Sequence, residues 1–210
     1  AIAAKFLKAR LGEEVMNQTI YAYISDGGIQ EEISQGAGRI AGTLGLDNLI
    51  MFYDANNVQL STKVEDVDAE NVAKYEAWGW KVIQINGNDV NEIRKALKEA
   101  KAEISKPTLI IGNTVMGKGA VGADNSCYEN KVSTHGQPLS AAGASIADTI
   151  KNLGGDPEHP FAILPEVAEL YAKRAKELEV IVAERYAVKD VWAKAHPDLA
   201  AKMEQWFSGK

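Results

Sequence analysis

Two apolar runs that each end in polar residues constrain the fold of this chain most strongly. The first run, Thr19 to Ile24, is β-branched and aromatic and stops at Asp-Gly-Gly, which predicts a buried strand followed by a tight turn. The second run, Asn48 to Asp54, is apolar on both faces, as expected for a parallel strand covered by helices on each side. The chain is therefore predicted to form an α/β fold with a parallel sheet flanked by helices.

The segment between the two runs predicts the helix of a right-handed strand–helix–strand unit. Its small and apolar residues recur at helical spacing, so we expect them to pack closely against the sheet. They are Ile33, Gly36, Ala37, Ile40, Ala41 and Leu44. Glu31 and Glu32 suit the N-terminal end of this helix, where the helix dipole favours negative charge.

Both strands end in candidate metal ligands, Asp26 and Asn56. Ligands of open α/β sheets bind outside the carboxyl ends of the strands, where both residues fall. With a carbonyl from Val58 as a third candidate, about half of an octahedral Mg²⁺ shell stays open for phosphate oxygens and water. Gly27 and Gly28 would let backbone N–H groups approach such an anion. The alternative is an ordinary Asp-Gly turn and an ordinary Asn-Asn turn.

Further helices and strands alternate along the rest of the chain. The patterns predict a helix over Asp68–Ala77, a strand over Lys81–Ile85, a helix over Asp89–Glu103 and a strand over Thr108–Gly112. The second of these helices is expected to cover the sheet with Val90, Ile93, Ala96, Leu97 and Ala100, and to be capped by Asn88 and Asp89. Trp78 and Trp80 are expected to be buried at a helix-to-strand corner.

The domain organisation follows from a Pro- and Gly-rich stretch between residues 154 and 165. We predict an α/β domain over residues 1–153, incomplete at its N-terminus, a linker over residues 154–165, and a helical tail over residues 166–210. The tail leads toward a next domain, and its helical pattern is broken near His196 and Pro197.

Composition narrows the class of protein. A net charge of −6 argues against non-specific nucleic-acid binding. The sequence holds no signal peptide and no apolar run of about eighteen residues, so secretion and membrane insertion have no support. Cys127 is the single cysteine, which excludes an internal disulfide and suits a reducing compartment. We therefore expect a cytoplasmic protein.

Many segments, in order, resemble the transketolase family. Ser25-Asp26-Gly27 followed by Asn56 is similar to the thiamine diphosphate signature, in which Gly-Asp-Gly is followed by a spacer of this length and Asn. Other similar segments are Ala41–Leu44, Leu49–Asn56, Tyr75–Trp80, Asn86–Asp89, Lys106–Ile110, Thr114–Gly119 and Thr134–Leu139. The resemblance implies the thiamine diphosphate-binding fold.

The resemblance also implies a set of site residues. The implied metal ligands are Asp26, Asn56 and the Val58 carbonyl, for Mg²⁺ or for Ca²⁺ or Mn²⁺ in its place. The implied thiamine diphosphate-binding residues are Asp26, Gly27, Glu31, Asn56, Leu60, Met116 and His135. Leu60 matches an aliphatic position near the thiazolium, and Glu31 matches part of an acidic network that links two active sites across a dimer. His135 matches a catalytic histidine that contacts the diphosphate and the donor sugar and helps stabilise the transition state.

The implied activity is transfer of a two-carbon ketol unit from a ketose phosphate to an aldose phosphate. Expected partners are sugar phosphates and a second copy or partner chain that carries a pyrimidine-binding domain. Because transketolases are much longer, we expect a fragment that is inactive alone. Alternatives are another thiamine enzyme of the superfamily, of the deoxyxylulose phosphate synthase or dihydroxyacetone synthase type, or a non-catalytic cofactor-binding or assembly subunit.

Four residues depart from the family pattern. Ser25 replaces the first glycine of the signature, and Gly36 stands where relatives usually carry a second network glutamate. Val132 takes the place of a second histidine, and Asn113 that of a basic residue. None of these changes removes an implied metal ligand, so they bear on substrate contacts and on coupling between sites.

Overall fold

A computed structural model of the chain describes residues 1–67 and 71–209. Two compact units make up the chain and are described separately: Thr19–Pro160, and Ala1–Gln18 together with the chain from Phe161 onward. The helices and strands are α1 Ile2–Leu11, β1 Ile20–Ser25, α2 Asp26–Gln30, α3 Glu32–Thr43, β2 Leu49–Ala55, α4 Asn71–Ala77, β3 Lys81–Asn86, α5 Val90–Lys101, β4 Thr108–Asn113, α6 Ile146–Asn152, α7 Pro165–Ala195 and α8 Pro197–Phe207. The domain boundaries at residues 153 and 165 stay a prediction.

The unit Thr19–Pro160 is built on a parallel sheet of the four strands, in the order β1-β2-β4-β3. β2 and β4 are its central strands, which explains why the Asn48 to Asp54 run is apolar on both faces. The predicted parallel α/β fold is confirmed. Of the predicted helix over Asp68–Ala77, residues 71–77 form α4, and residues 68–70 lie outside the described residues.

Helix α5 covers one face of the sheet as its apolar spacing predicts. Ala96 and Ala100 are buried against Ile50 and Ile110 of the two central strands. The carboxylate of Asp89 caps the helix and accepts hydrogen bonds from the backbone N–H groups of residues 91 and 92, at 2.7 and 3.4 Å. Val90, the first residue of the predicted apolar face, is the exception, because it is exposed.

The predicted packing face of α3 is wrong in part. Its larger apolar residues point away from the sheet, and Ile33 is 86% exposed. The helix instead buries Gly38 and Ala41. A Cβ on Gly42 would lie 1.9 Å from the Trp78 carbonyl oxygen, and the Trp80 indole donates to the Gly38 carbonyl at 2.7 Å. A surface of glycine and alanine lets the helix approach the segment of Trp78 and Trp80 more closely than branched side chains would allow.

The predicted tight turn after β1 is also wrong, because α2 begins at Asp26 directly after the strand. Neither Gly27 nor Gly28 has a positive φ. Gly28 lies in a tight place instead, since a Cβ there would lie 3.1 Å from the Ile24 side chain. Ser25 has φ −107° and ψ 176°, an extended conformation that any residue adopts. Serine therefore introduces no backbone strain at the first signature position.

The second unit is helical. Its core joins Leu11 and Met16 to Trp192 of α7 and Met203 of α8. The predicted break falls at His196 and Pro197, between α7 and α8. Across the described ranges, the helices lack the combination of length and apolar composition needed to cross a bilayer.

The glycine surface of α3 yields a paired test. Gly42→Ala is expected to destabilise the chain by about 1–3 kcal/mol or more, because its Cβ collides with backbone that cannot move aside. Gly36→Ala, in the same helix, has nothing within 4 Å of its Cβ and is expected to stabilise by about 0.5–1 kcal/mol. Urea unfolding of both variants measures the difference; equal effects would contradict the close packing.

Candidate functional site

Asp26 is the buried centre of the predicted site. It is the first residue of α2, directly after β1, and is 2% exposed. Its Oδ1 accepts a hydrogen bond from the Tyr53 hydroxyl at 2.5 Å, and its Oδ2 accepts one from the Asn56 backbone N–H at 3.2 Å. The carboxyl ends of β1 and β2 therefore meet at this carboxylate, as the sequence predicts for Asp26 and Asn56.

The chain after β2 turns tightly beside Asp26. The Asn56 side-chain oxygen accepts a hydrogen bond from the Val58 backbone N–H at 3.0 Å. Asn57 has φ 62°, a left-handed conformation that asparagine tolerates better than most residues. Val58 is buried at the end of this turn. The structure thus brings together all three implied metal ligands, Asp26, Asn56 and Val58.

The electrostatic setting of Asp26 leaves a charge to be compensated. Burial raises the pKa of its carboxyl, although hydrogen bonds from Tyr53 and from the backbone of residues 56, 57 and 58 act in the opposite direction. No ion pair to Asp26 occurs within residues 1–67 and 71–209. Buried carboxylates are normally paired with a cation, bound to a metal or protonated. The site therefore fits a cation.

The chain itself supplies few anionic ligands here. In the described part, no cluster of three or more His, Cys, Asp or Glu side chains is placed to hold a metal ion. One carboxylate with amide and carbonyl oxygens is a different donor set, which suits a hard cation that shares its shell with phosphate oxygens. Gly27 adds open space beside Asp26, since nothing lies within 4 Å of a Cβ built there. That space fits an anion that approaches the backbone.

Two further implied site residues, His135 and Leu60, are linked through Gly136. His135 follows the short 3₁₀ turn Val132–Thr134, and its Nδ1 is buried without a hydrogen-bond partner among the described residues. A Cβ on the next residue, Gly136, would lie 3.3 Å from the Leu60 side chain. Leu60 itself is 70% exposed. An orphaned imidazole nitrogen and an exposed aliphatic side chain are features that a bound ligand would satisfy.

Met116 belongs to the same loop region. Its backbone N–H donates to the Asn130 side-chain oxygen at 3.1 Å, and its carbonyl accepts from the Asn130 backbone N–H at 2.9 Å. The next residue, Gly117, lies beside Thr134, which precedes His135. Glu31 stands at the N-cap position of α3 and is exposed. The roles of these residues in cofactor binding stay predictions.

Tyr53 is a site residue that the sequence reasoning missed. The parallel register pairs Ile24 with Tyr53, which puts Tyr53 on the sheet face that Asp26 takes two residues later. The alternation of side chains along β2, combined with that register, could have identified Tyr53 from the sequence. On the opposite face, Tyr23 donates to Asp54 at 2.7 Å and Thr114 donates to the other oxygen of Asp54. The bond to Asp54 raises the pKa of Tyr23 to about 12.

The raised pKa of Asp26 predicts how stability changes with pH when metal is absent. The folded chain holds this proton more tightly than the unfolded chain, so the free energy of unfolding falls as pH rises above the ordinary aspartate pKa of 3.8. In Asp26→Asn this contribution is removed. Urea unfolding in chelator between about pH 4 and pH 7 is expected to show wild type losing stability relative to the variant. Parallel pH profiles would contradict this.

Comparisons with known proteins agree with this geometry. The family described as "Transketolase, thiamine diphosphate binding domain" matches residues 1–210. Transketolase 1 of Pasteurella multocida is 38% identical over 96% of this chain and 30% of its own length, and the Geobacillus stearothermophilus transketolase is 35% identical over 100% and 31%.

Solved structures give the same result. A mutant transketolase of Pichia stipitis superposes with a TM-score of 0.86 and 27% identity over 99% of this chain and 30% of that one. The Pichia stipitis enzyme in complex with sedoheptulose-7-phosphate gives a TM-score of 0.80 and 29% identity over 90% of this chain and 27% of that one. The chain spans about 30% of the length of the curated relatives it matches. It belongs to the transketolase family, within the thiamine diphosphate binding domain.

Proposed function

We propose that this chain supplies the diphosphate- and metal-binding half of a transketolase active site. The observation that carries the proposal is the Asp26 carboxylate, which is buried, has no cation among the described residues, and lies against the Asn56 turn at the carboxyl end of the sheet. Membership in the thiamine diphosphate binding family supports the same site. The sugar phosphate named for one relative supports ketose phosphates as substrates.

In this proposal Asp26, the Asn56 amide oxygen and the Val58 carbonyl bind Mg²⁺, with Ca²⁺ or Mn²⁺ able to replace it. Phosphate oxygens and water complete the shell, because these ligands alone fill about half of it. The cation compensates the buried charge of Asp26. Gly27 leaves room for the diphosphate to approach the backbone.

Thiamine diphosphate, when bound, supplies the carbanion chemistry for moving a two-carbon ketol unit between sugar phosphates. Leu60 and Met116 contribute apolar contacts around the cofactor. His135 donates a hydrogen bond to developing oxyanion charge on the substrate, and its unpartnered Nδ1 supports a role in ligand contact. The chain spans about 30% of the length of its curated relatives, so we further propose that it is inactive alone and acts with a partner chain.

The metal site is tested by calorimetric titration of the chain with thiamine diphosphate, in Mg²⁺ and in excess chelator. We expect binding in Mg²⁺ and none in chelator, because the diphosphate is held through the metal. Asp26→Ala is expected to abolish the metal-dependent binding.

Asp156→Ala is the matched control, since Asp156 is exposed and bonds locally to Glu158 and His159. It should bind as wild type does. Undiminished affinity in Asp26→Ala, or equal affinity with and without chelator, would overturn the metal site.

The exposed stripe of α3 supports a homodimer. Ile33, Ile40 and Leu44 are 86%, 53% and 54% exposed and recur at helical spacing. Glu31 stands at the N-cap position of this helix, and by resemblance it matches part of an acidic network that links two active sites across a dimer. We propose that this stripe, defined by Ile33, Ala37, Ile40 and Leu44, packs against a second copy of the chain.

A charge placed in the stripe is expected to separate the two copies. Ile40→Glu should shift sedimentation velocity from dimer to monomer, because the carboxylate would be desolvated at the contact. Ile104→Glu replaces an isoleucine that is 82% exposed outside α3, and it should leave the dimer intact. A monomeric wild type, or a dimeric Ile40→Glu variant, would contradict the proposal.

A further inference from the structure

Tyr53 is a buried side chain in direct contact with Asp26, the proposed metal ligand. It lies in the central strand β2, is 4% exposed, and donates its hydroxyl hydrogen to Asp26 Oδ1 at 2.5 Å. Asp26 belongs to the neighbouring segment after β1. The bond therefore ties the Asp26 side chain to a central strand of the sheet.

Hydrogen bonds to both oxygens of Asp26 set the orientation of its carboxylate. Tyr53 holds Oδ1, and the backbone of Asn56 holds Oδ2 at 3.2 Å. Donors on both oxygens restrict rotation of the carboxylate plane. An ionised carboxylate offers about four acceptor directions, and the Tyr53 hydroxyl takes one of those on Oδ1. The hydroxyl thus orients the carboxylate and takes only one of its acceptor directions.

A second buried tyrosine shows that this fold does not require such a bond. Tyr75 of α4 is 1% exposed, and its hydroxyl has no hydrogen-bond partner within the described residues. A tyrosine hydroxyl can thus be buried here without an acceptor. The contact between Tyr53 and Asp26 is accordingly better explained by what it does to Asp26 than by a need to satisfy Tyr53.

We infer that Tyr53 is a positioning residue that holds Asp26 in the orientation in which it binds the metal. The inference rests on the proposed function, because it assumes that Asp26 is a metal ligand. It predicts that the Tyr53 hydroxyl contributes to metal affinity although it does not touch the metal, as partners of metal ligands commonly do.

The test measures Mn²⁺ binding by electron paramagnetic resonance on the full chain, in the presence of thiamine diphosphate. Tyr53→Phe is expected to weaken Mn²⁺ binding about 10–100-fold. Tyr75→Phe is the matched control, since it removes an equally buried hydroxyl that has no described partner, and it should bind as wild type does. Asp26→Asn is the reference for loss of the ligand and should abolish binding.

The outcomes separate the two proposals. Loss in Asp26→Asn with wild-type affinity in Tyr53→Phe overturns the role of Tyr53 and leaves the metal site standing. Wild-type affinity in Asp26→Asn, or no Mn²⁺ binding by wild type, overturns the metal site and this inference together. An equal loss in Tyr53→Phe and Tyr75→Phe also overturns the role of Tyr53, because it indicates a general effect on packing.

A pair of non-natural residues at position 53 keeps the test independent of folding defects. Para-methylphenylalanine fills the volume of tyrosine without a donor, and para-aminophenylalanine retains an N–H donor in nearly the same place. Recovery of affinity and of the wild-type Mn²⁺ spectrum only with the amino variant supports positioning by hydrogen bond. Equal behaviour of the two variants overturns it.

Discussion

The parallel pairing of β2 with β1 and β4 is the constraint on which the rest of the larger unit depends. Because parallel strands end at the same edge, this pairing brings Asp26 to Asn56 although thirty residues separate them in sequence. It also aligns Ile24 with Tyr53, and so provides Asp26 with its hydroxyl donor. A shift of register by one residue would turn Tyr53 to the opposite face and leave the carboxylate without that bond.

Side-chain periodicity predicts the elements whose large residues face the core. The apolar face of α5 is of this kind, because Ala96 and Ala100 pack against the sheet with charged residues opposite. The same reasoning fails for α3, where glycines make the contact and isoleucines remain outside. Hydrophobicity alone cannot distinguish a face that packs within the chain from one that is free to pack against another chain.

The candidate site also contains residues that the sequence predicts and residues that it does not. Asp26 and Asn56 are predictable because polar side chains that follow adjacent parallel strands must converge, and the family resemblance indicates the same pair. Tyr53 is hidden within an apolar run, where a tyrosine suits a β-strand for packing reasons alone. The turn proposed at Gly27 also fails, since glycine there provides space rather than an unusual backbone conformation. The role of Tyr53 depends on its contact with Asp26, which is far away in sequence.

The conformation of Ser25 bears on how members of this family can be recognised. Its φ of −107° and ψ of 176° belong to an ordinary strand end, and no part of the helix that follows needs a glycine at that position. A sequence pattern that demands Gly-Asp-Gly is therefore stricter than the backbone it describes. Searches that fix only the aspartate and the distant asparagine, and leave the first position free, should recover related chains that the full pattern passes over.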